Sequence, residues 1–272
     1  MLSIPTVGIS ACLGQRVCRY NQKKLDSPIP LGILEHINLI DFCPEEEAGL
    51  GTPRDPIDSR WNGELQIFQQ RKTVNLAPLL RETSLGIIGR IKGADGVVLK
   101  SKSPSCGLMD HKIANLKEPD SPLTGNGVLP DLLLQGQYHL IPTTERRLSD
   151  PWSLQLWLAG VFQLSELKQY IRTGEPLDEF HQQNEPLLAG LGRLEGLSHL
   201  RRDPEKYLRQ FALSFLTDIG HQGFLTNLSS KGSKQPFESS ARLWPSLQPG
   251  STRNLEDHYP FPNARTFSPS HI

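Results

Sequence analysis

Three of the four cysteines in this sequence follow short runs of small and apolar residues, which are typical of buried strands. These cysteines are Cys12, Cys43 and Cys106. The last of them lies in a Ser-Pro-Ser-Cys-Gly segment, where Pro104 lacks the N–H that a central strand needs. That segment therefore predicts a turn whose backbone N–H groups, two hydroxyls and one thiol face the same place.

The position of these cysteines allows two interpretations. If the three runs are parallel strands of one open sheet, their thiols gather outside the carboxyl ends of the strands, where such sheets bind ligands. Three thiolates at one point indicate a metal or cluster site. Alternatively, the cysteines are buried free thiols, which are common in protein cores. The sequence has no Cys-x-x-Cys pair, so it matches neither a zinc ribbon nor a ferredoxin-type run.

Composition excludes some classes of protein. The formal net charge is +0, so the chain as a whole has no excess of positive charge that would attract a polyanion; any basic patch must be local. The sequence contains no apolar run long enough to cross a bilayer and no segment typical of a secretory signal. We therefore expect no membrane contact and a cytoplasmic location, where disulfides are rare and cysteines more often bind metals or take part in catalysis.

The elements that would position the cysteines are those of an α/β domain over residues 1–150. Strands are predicted at 6–12, 36–42, 97–100 and 138–142. Helical spacing over 66–92 predicts the crossover helix of a βαβ unit, with Asn75 as its cap. Because such crossovers join parallel strands, the prediction is a Rossmann-like open parallel sheet. A further helix is predicted from 125 to 134.

After residue 150 the pattern changes to helices without strands. Apolar stripes predict helices from Trp152, from Pro176 and from Pro204, the last with Asp203 as its cap. We assign 151–224 to a small all-α domain. From 225 to 272 the apolar residues have no period, and we expect a disordered tail because this composition cannot offset the entropy of ordering.

The cysteine motifs together resemble the thiouracil desulfidase (TudS-like) family over residues 5–145. The resemblance is carried by Ser-Ala-Cys at 10–12, Cys-Pro-Glu at 43–45 and Lys-Ser-Pro-Ser-Cys-Gly at 102–107. The second domain is similar to a shortened form of the helical domain of tRNA thiouridine desulfidases (RudS-like), through the Phe-His pair at 180–181.

This resemblance implies a [4Fe-4S] cluster held by Cys12, Cys43 and Cys106, with one iron left open for the sulfur of a thiocarbonyl. Soft thiolate ligands suit such a cluster. Cys18 has no ligand role in the family pattern, and we expect it to be a packed thiol. His181 is expected to be a core or capping residue.

The resemblance also implies the remaining site residues. Glu45 would act as the general base towards water. Ser103 or Ser105 would hydrogen-bond this base or the water, although their hydroxyls could instead only form the turn. Independently of the resemblance, Arg19 and Arg54, together with Arg16, are candidates to bind the substrate by orienting a pyrimidine or a phosphate; the alternative is that they are ordinary surface arginines.

Two functions from different classes follow. The first is a [4Fe-4S]-dependent enzyme that removes sulfur hydrolytically from a thiolated pyrimidine, either free thiouracil or thiouridine within tRNA, and releases sulfide. The second is a non-catalytic iron–sulfur or metal-binding protein, or an inactive relative. For tRNA, the expected interaction is weak.

Overall fold

The protein is described here by a computed structural model that covers residues 3–70, 72–136, 138–216, 224, 226 and 227. The tail expected at 225–272 lies outside the described residues except for 226 and 227. In chain order the elements are β1 (Thr6–Ser10), α1 (Leu31–Leu34), β2 (Asn38–Phe42), α2 (Pro44–Glu47), β3 (Ile57–Trp61), β4 (Leu65–Gln69), α3 (Ala77–Ile91), β5 (Gly96–Leu99), β6 (His111–Asn115), β7 (Leu123–Gly125), α4 (Val128–Gln135), β8 (Ile141–Thr144), α5 (Pro151–Thr173), α6 (Leu177–Gln183), α7 (Glu185–Gly190), α8 (Leu194–Ser198) and α9 (Pro204–Ser214).

The first sheet has the order β2-β1-β5-β8, and all its pairings are parallel. This confirms the α/β class and the open parallel sheet. The last strand begins at Ile141, three residues later than the start predicted at 138. It contains Pro142, which an edge strand tolerates because the missing N–H is not needed for a second neighbour.

A second sheet, of order β4-β3-β6-β7, was not predicted. It is mixed: β3 pairs with β4 antiparallel and with β6 parallel. The prediction of helix from residue 66 was wrong, because 65–69 form β4 and the helix begins at Ala77. Along β3 buried and exposed residues alternate, with Asp58 and Arg60 on the exposed face. Short, polar, one-sided strands of this kind give little signal in the sequence.

The crossover helix α3 begins where Asn75 can satisfy two backbone N–H groups. Its side-chain oxygen accepts hydrogen bonds from Ala77 N at 3.1 Å and from Ile67 N at 3.0 Å. The same amide therefore starts α3 and ties it to β4. Apolar side chains of α3 and α4 pack on one face of the first sheet, around Phe42, Val97 and Leu99.

The helices after residue 150 cover the opposite face of the first sheet. Trp157 of α5 donates from Nε1 to the carbonyl of Ile141 at 3.0 Å. At Gly96 a Cβ would meet Val161 at 2.6 Å and Trp157 at 2.8 Å, so the missing side chain lets α5 lie directly on β5. One apolar cluster runs from Val7 and Ile9 through α5 into α6–α9. The core is thus continuous across residue 150.

An ion pair between a half-buried lysine and a buried aspartate reinforces this packing. Lys168 of α5 lies 3.0 Å from Asp95 and donates to the carbonyl of Ala94 at 2.7 Å. Asp95 in turn accepts from the backbone N–H of Thr6 at 2.8 Å. Lys168 therefore satisfies the backbone carbonyl of Ala94, which follows α3. Through Asp95 it also links α5 to the start of β1. Among the helices that the structure describes, none is long and apolar enough to cross a membrane. The domain boundary at 150 stays a prediction.

Candidate active site

The first sheet brings the cysteine stretches together at its carboxyl edge. In the register of β1 and β2, Ser10 lies opposite Phe42, so Cys12 and Cys43 follow neighbouring strand ends. The backbone N–H of Ala11 donates to the carbonyl of Phe42 at 2.7 Å and holds the two ends together. Cys106 follows β5, which pairs with the other side of β1.

These three cysteines line one cavity of about 390 Å³. The cavity is also lined by the other residues assigned to the site from the sequence except Ser105, namely Glu45, Ser103, Arg19 and Arg54. Cys18 lines it as well, although we expected a packed thiol; its side chain is 0% exposed. The fourth cysteine is thus both packed and part of the cavity wall.

The Ser-Pro-Ser-Cys-Gly segment is a tight turn held by its first serine. Ser103 Oγ accepts hydrogen bonds from the backbone N–H groups of Ser105 and Cys106, both at 3.2 Å. The carbonyl of Ser105 accepts from the first turn of α4, at Leu129 N, over 2.9 Å. At Gly127 a Cβ would lie 2.8 Å from Cys106 N, so only glycine permits this close approach of α4 to the turn.

Glu45 points into the same cavity from the first turn of α2, where Pro44 fixes the backbone directly after Cys43. Its Oε1 accepts from Ser105 Oγ at 3.1 Å and from Ser103 Oγ at 3.5 Å. Its Oε2 accepts from Arg54 Nε at 3.0 Å. The side chain of Glu45 is only 14% exposed. The structure thus places both serines against Glu45, whereas the sequence assigned a hydrogen bond with the base or the water to one serine or the other.

The two neighbouring glutamates do not line the cavity, although Glu47 Oε1 accepts from the backbone N–H of Cys43 at 3.1 Å. Glu46 pairs with Arg16, and Glu47 accepts two hydrogen bonds from Arg90, each at 2.9 Å. Both of these arginine side chains are at least 44% exposed, whereas that of Arg54 is 3% exposed. Of three consecutive glutamates, the structure thus directs one to the cavity and two to the surface.

The environment of Cys18, Cys43 and Cys106 favours the neutral thiol. The pKa of Cys106 is raised by burial, and that of Cys43 is raised by interaction with the Cys18 side chain and by burial. The pKa of Cys18 is raised to about 12, first by its interaction with Cys12. A nucleophilic cysteine needs a lowered pKa, so these thiols do not resemble one. Thiols of this kind become thiolates when a metal displaces the proton.

Ser10 is a site residue that the sequence interpretation did not single out. Its side chain interacts with that of Cys106, and the interaction opposes the rise in the pKa of Cys106. Because Ser10 Oγ accepts from Lys100 N at 3.1 Å, its own proton is available for the Cys106 sulfur. The available signal was its position at the end of β1, two residues before Cys12.

The two arginines assigned to substrate have different surroundings. Arg19 lines the cavity, and its guanidinium lies 5.8 Å from the ring centroid of Tyr20. Within the described residues Arg19 forms no ion pair. Arg54, in contrast, donates to Glu45 and to backbone carbonyls. The roles of both remain predictions.

A cofactor at this edge would have to fit several thiols around an open space. Within the described part of the chain, no three His, Cys, Asp or Glu side chains converge closely enough to hold a single metal ion. The cavity lined by Cys12, Cys43 and Cys106 has a volume of about 390 Å³, which leaves room for a group larger than one ion. The donor set is soft, as an iron–sulfur cluster requires.

Comparison with known proteins identifies the family of this chain. The model of the 2-thiouracil desulfurase family matches residues 7–145, more than half of the 272 residues. The chain therefore belongs to the 2-thiouracil desulfurase family, which confirms the family suggested by the motifs. The matched segment contains every cysteine and every residue assigned to the site.

Two individual proteins are similar to this chain. The uncharacterized protein YbbK of Bacillus subtilis (strain 168) is 30% identical over 145 residues, which cover 50% of this chain and 95% of that protein. A solved structure named as the [4Fe-4S]-dependent thiouracil desulfidase TudS is 26% identical, covers 53% of this chain and 93% of its own, and superposes with a TM-score of 0.40.

Proposed function

We propose that this protein is a [4Fe-4S]-dependent desulfidase that converts a thiolated pyrimidine and water into the oxo-pyrimidine and hydrogen sulfide. The observation that carries the proposal is that Cys12, Cys43 and Cys106 line the same cavity as a nearly buried glutamate. Membership of the 2-thiouracil desulfurase family supports the reaction class.

The three cysteines would hold the cluster, with Ser10 donating to the sulfur of Cys106. When bound, such a cluster supplies a soft Lewis-acidic iron that withdraws electrons from a thiocarbonyl. Cys18 stays outside the proposed ligand set because it has no ligand role in the pattern of cysteine motifs that the chain shares with the thiouracil desulfidase family.

Glu45 would take one proton from the water that attacks the thiocarbonyl carbon, which gives a tetrahedral adduct with a new carbon–oxygen bond and a carbon–sulfur single bond. The adduct then loses the second proton of the former water as the carbon–oxygen double bond forms and the carbon–sulfur bond breaks. Both protons leave with the sulfur as hydrogen sulfide, so the reaction is a hydrolysis without net electron transfer. Ser103 and Ser105 hold Oε1 of Glu45 at the cavity. Arg19, at the cavity wall, would contact the ring or a phosphate of the substrate.

The carrier of the thiolated base is a separate part of the proposal. We expect weak binding of tRNA, since the helical domain resembles a shortened form of that of the tRNA thiouridine desulfidases and the net charge of +0 leaves only a local patch for phosphates. A gel shift with tRNA at several salt concentrations tests this, because phosphate contacts give a steep dependence on salt. Tight, salt-dependent binding would instead favour thiouridine within tRNA. The four free cysteines support a cytoplasmic location.

Anaerobic reconstitution with iron and sulfide tests the central proposal, with wild type and Cys106→Ala side by side. We expect about four irons per wild-type chain and broad visible absorption, both lost in the variant. The loaded wild type should release sulfide from thiouracil. A colourless wild-type protein would refute the cluster, and a loaded protein without sulfide release would favour a non-catalytic iron–sulfur protein.

A further inference from the structure

The three glutamates at 45–47 each pair with a different arginine, and only one of these pairs is buried. Arg54 and Glu45 have side chains that are 3% and 14% exposed, whereas those of Arg90 and Glu47 are 50% and 26% exposed. Burial of a charged pair costs hydration, so an exposed pair would be the cheaper way to anchor α2. The buried pair therefore calls for an explanation beyond stability.

The guanidinium of Arg54 is used on all three of its nitrogens. Nε donates to Glu45 Oε2 at 3.0 Å, and Nη2 donates to the same oxygen. Nη1 donates to the carbonyl of Gly51 at 2.7 Å and to that of Cys18 at 2.9 Å. A guanidinium that donates hydrogen bonds from all three nitrogens has few N–H groups left to bind a substrate.

The hydrogen bonds to Glu45 are divided between its two oxygens. Arg54 donates to Oε2, and the hydroxyls of Ser103 and Ser105 in the turn before Cys106 donate to Oε1. The carboxylate is thereby fixed between two loops, with its side chain at the wall of the cavity. The bond from Arg54 to the Cys18 carbonyl ties the third loop of the cavity to the same point.

We propose that Arg54 is a positioning residue for Glu45 and does not bind the substrate. This inference rests on the proposed function, in which Glu45 is the general base. The arginine fixes the direction of the carboxylate and the separation of the loops that carry Glu45 and Cys18. A base that is displaced by about 1 Å loses on the order of 100-fold in rate, so the effect should appear in kcat and leave KM unchanged.

The test compares sulfide release from thiouracil by the reconstituted wild type and by Arg54→Met, Arg54→Lys, Glu45→Gln and the double variant Glu45→Gln/Arg54→Met. Arg90→Met is the matched control, because Arg90 pairs with Glu47 on the surface of the same helix. Iron content and visible absorption of each variant show whether its cluster is loaded.

We expect Arg54→Met to keep its iron, lower kcat about 10- to 100-fold and change KM less than about twofold. Arg54→Lys should recover part of kcat, since an ammonium keeps the charge but cannot reach Glu45 and both carbonyls together. Arg90→Met should match the wild type. The double variant should be no slower than Glu45→Gln alone, because Arg54 acts through the carboxylate that is already lost.

A raised KM at unchanged kcat in the Arg54 variants would overturn the proposal and assign Arg54 to the substrate. A double variant much slower than Glu45→Gln would also overturn it.

If the loaded wild type releases no sulfide, the proposed function fails by itself, and urea unfolding then decides whether Arg54 and Glu45 are coupled. Arg54→Met should then unfold at a lower urea concentration than the double variant, since it leaves a buried carboxylate unpaired. If Arg54→Met and the double variant unfold at the same urea concentration, Arg54 and Glu45 are not coupled. The same holds if the double variant loses the sum of the stabilities that the two single variants lose.

Discussion

Two buried polar clusters, one at the sheet edge and one among the helices, satisfy their hydrogen-bonding groups in different ways. At the sheet edge Glu45, Ser103 and Cys106 face a cavity of about 390 Å³. Among the helices, His181 is 6% exposed and lies between Tyr207 and Ser198. The first cluster faces space that a ligand can fill, whereas the second is closed by the protein itself.

The helical cluster has a single consistent pattern of protons. Ser198 Oγ donates to the carbonyl of Leu194 at 2.8 Å, so it accepts from His181 Nε2 at 3.0 Å. Nδ1 then accepts from the hydroxyl of Tyr207, also at 3.0 Å. Both nitrogens of a neutral imidazole are used. The comparison shows that burial of a histidine or a cysteine does not indicate a site unless the group also faces a space for a ligand.

The strongest test of this distinction compares two cysteines of the cavity. Cys43→Ser should lose nearly all of the roughly four irons taken up on reconstitution, because a proposed ligand is removed. Cys18→Ser should keep close to the wild-type amount. Iron analysis and visible absorption measure both. An equal loss in Cys18→Ser would make the fourth thiol a ligand and would shift the proposed set.

The second test removes the charge of Glu45 and keeps its shape. Glu45→Gln should retain the cluster, since the side chain is not a proposed ligand, and its turnover should fall about 10²- to 10⁴-fold as expected for loss of a general base. Sulfide release measured against iron content separates the two effects. Glu46→Gln is the control, because Glu46 faces Arg16 outside the cavity. Full activity in Glu45→Gln would remove this residue from the mechanism.

The third test addresses the helical cluster. His181→Phe leaves the Tyr207 hydroxyl and Ser198 without their partner, so the free energy of unfolding should fall by about 1–3 kcal/mol. The control is His199→Phe, since His199 is exposed, and its effect should stay within about 0.5 kcal/mol. Urea unfolding measures both. Sulfide release per folded chain should be unchanged; a specific loss of activity would give the helical cluster a role in the reaction.

The smallest expected effect is a dependence of stability on pH. Burial lowers the pKa of His181 below its usual value of 6.5. The folded state therefore binds this proton less readily than the unfolded chain does. The contribution is fully present above pH 6.5 and is lost as the pH falls through 6.5 towards the lower pKa of the folded state. Urea midpoints at pH 8 and pH 5.5 should differ more in wild type than in His181→Phe.

Burial also lowers the pKa values of His111 and His139, so part of the pH dependence should remain in His181→Phe. If the variant and the wild type lose the same amount of stability on acidification, His181 contributes nothing to the dependence. The neutral state assigned to its imidazole would then be wrong.

The local sequence is enough to predict the strands and the turn that carry the three cysteines. The runs before Cys12 and Cys43 predict strands, and Pro104 predicts the turn before Cys106. The prediction that Asp203 caps α9 is also confirmed, since its side chain accepts from Lys206 N at 3.2 Å. These features depend on backbone preferences and hydrophobic periodicity, which a sequence shows directly.

Only the tertiary structure decided which polar residues serve the cavity. Glu45, Glu46 and Glu47 are chemically identical in the sequence, and the partners that separate them, Arg54, Arg16 and Arg90, are distant in the chain. The second sheet and the placement of Cys18 against Cys12 and Cys43 depend likewise on contacts between distant segments. Burial and pairing are properties of neighbours in space, and a single sequence does not state which distant residues become neighbours.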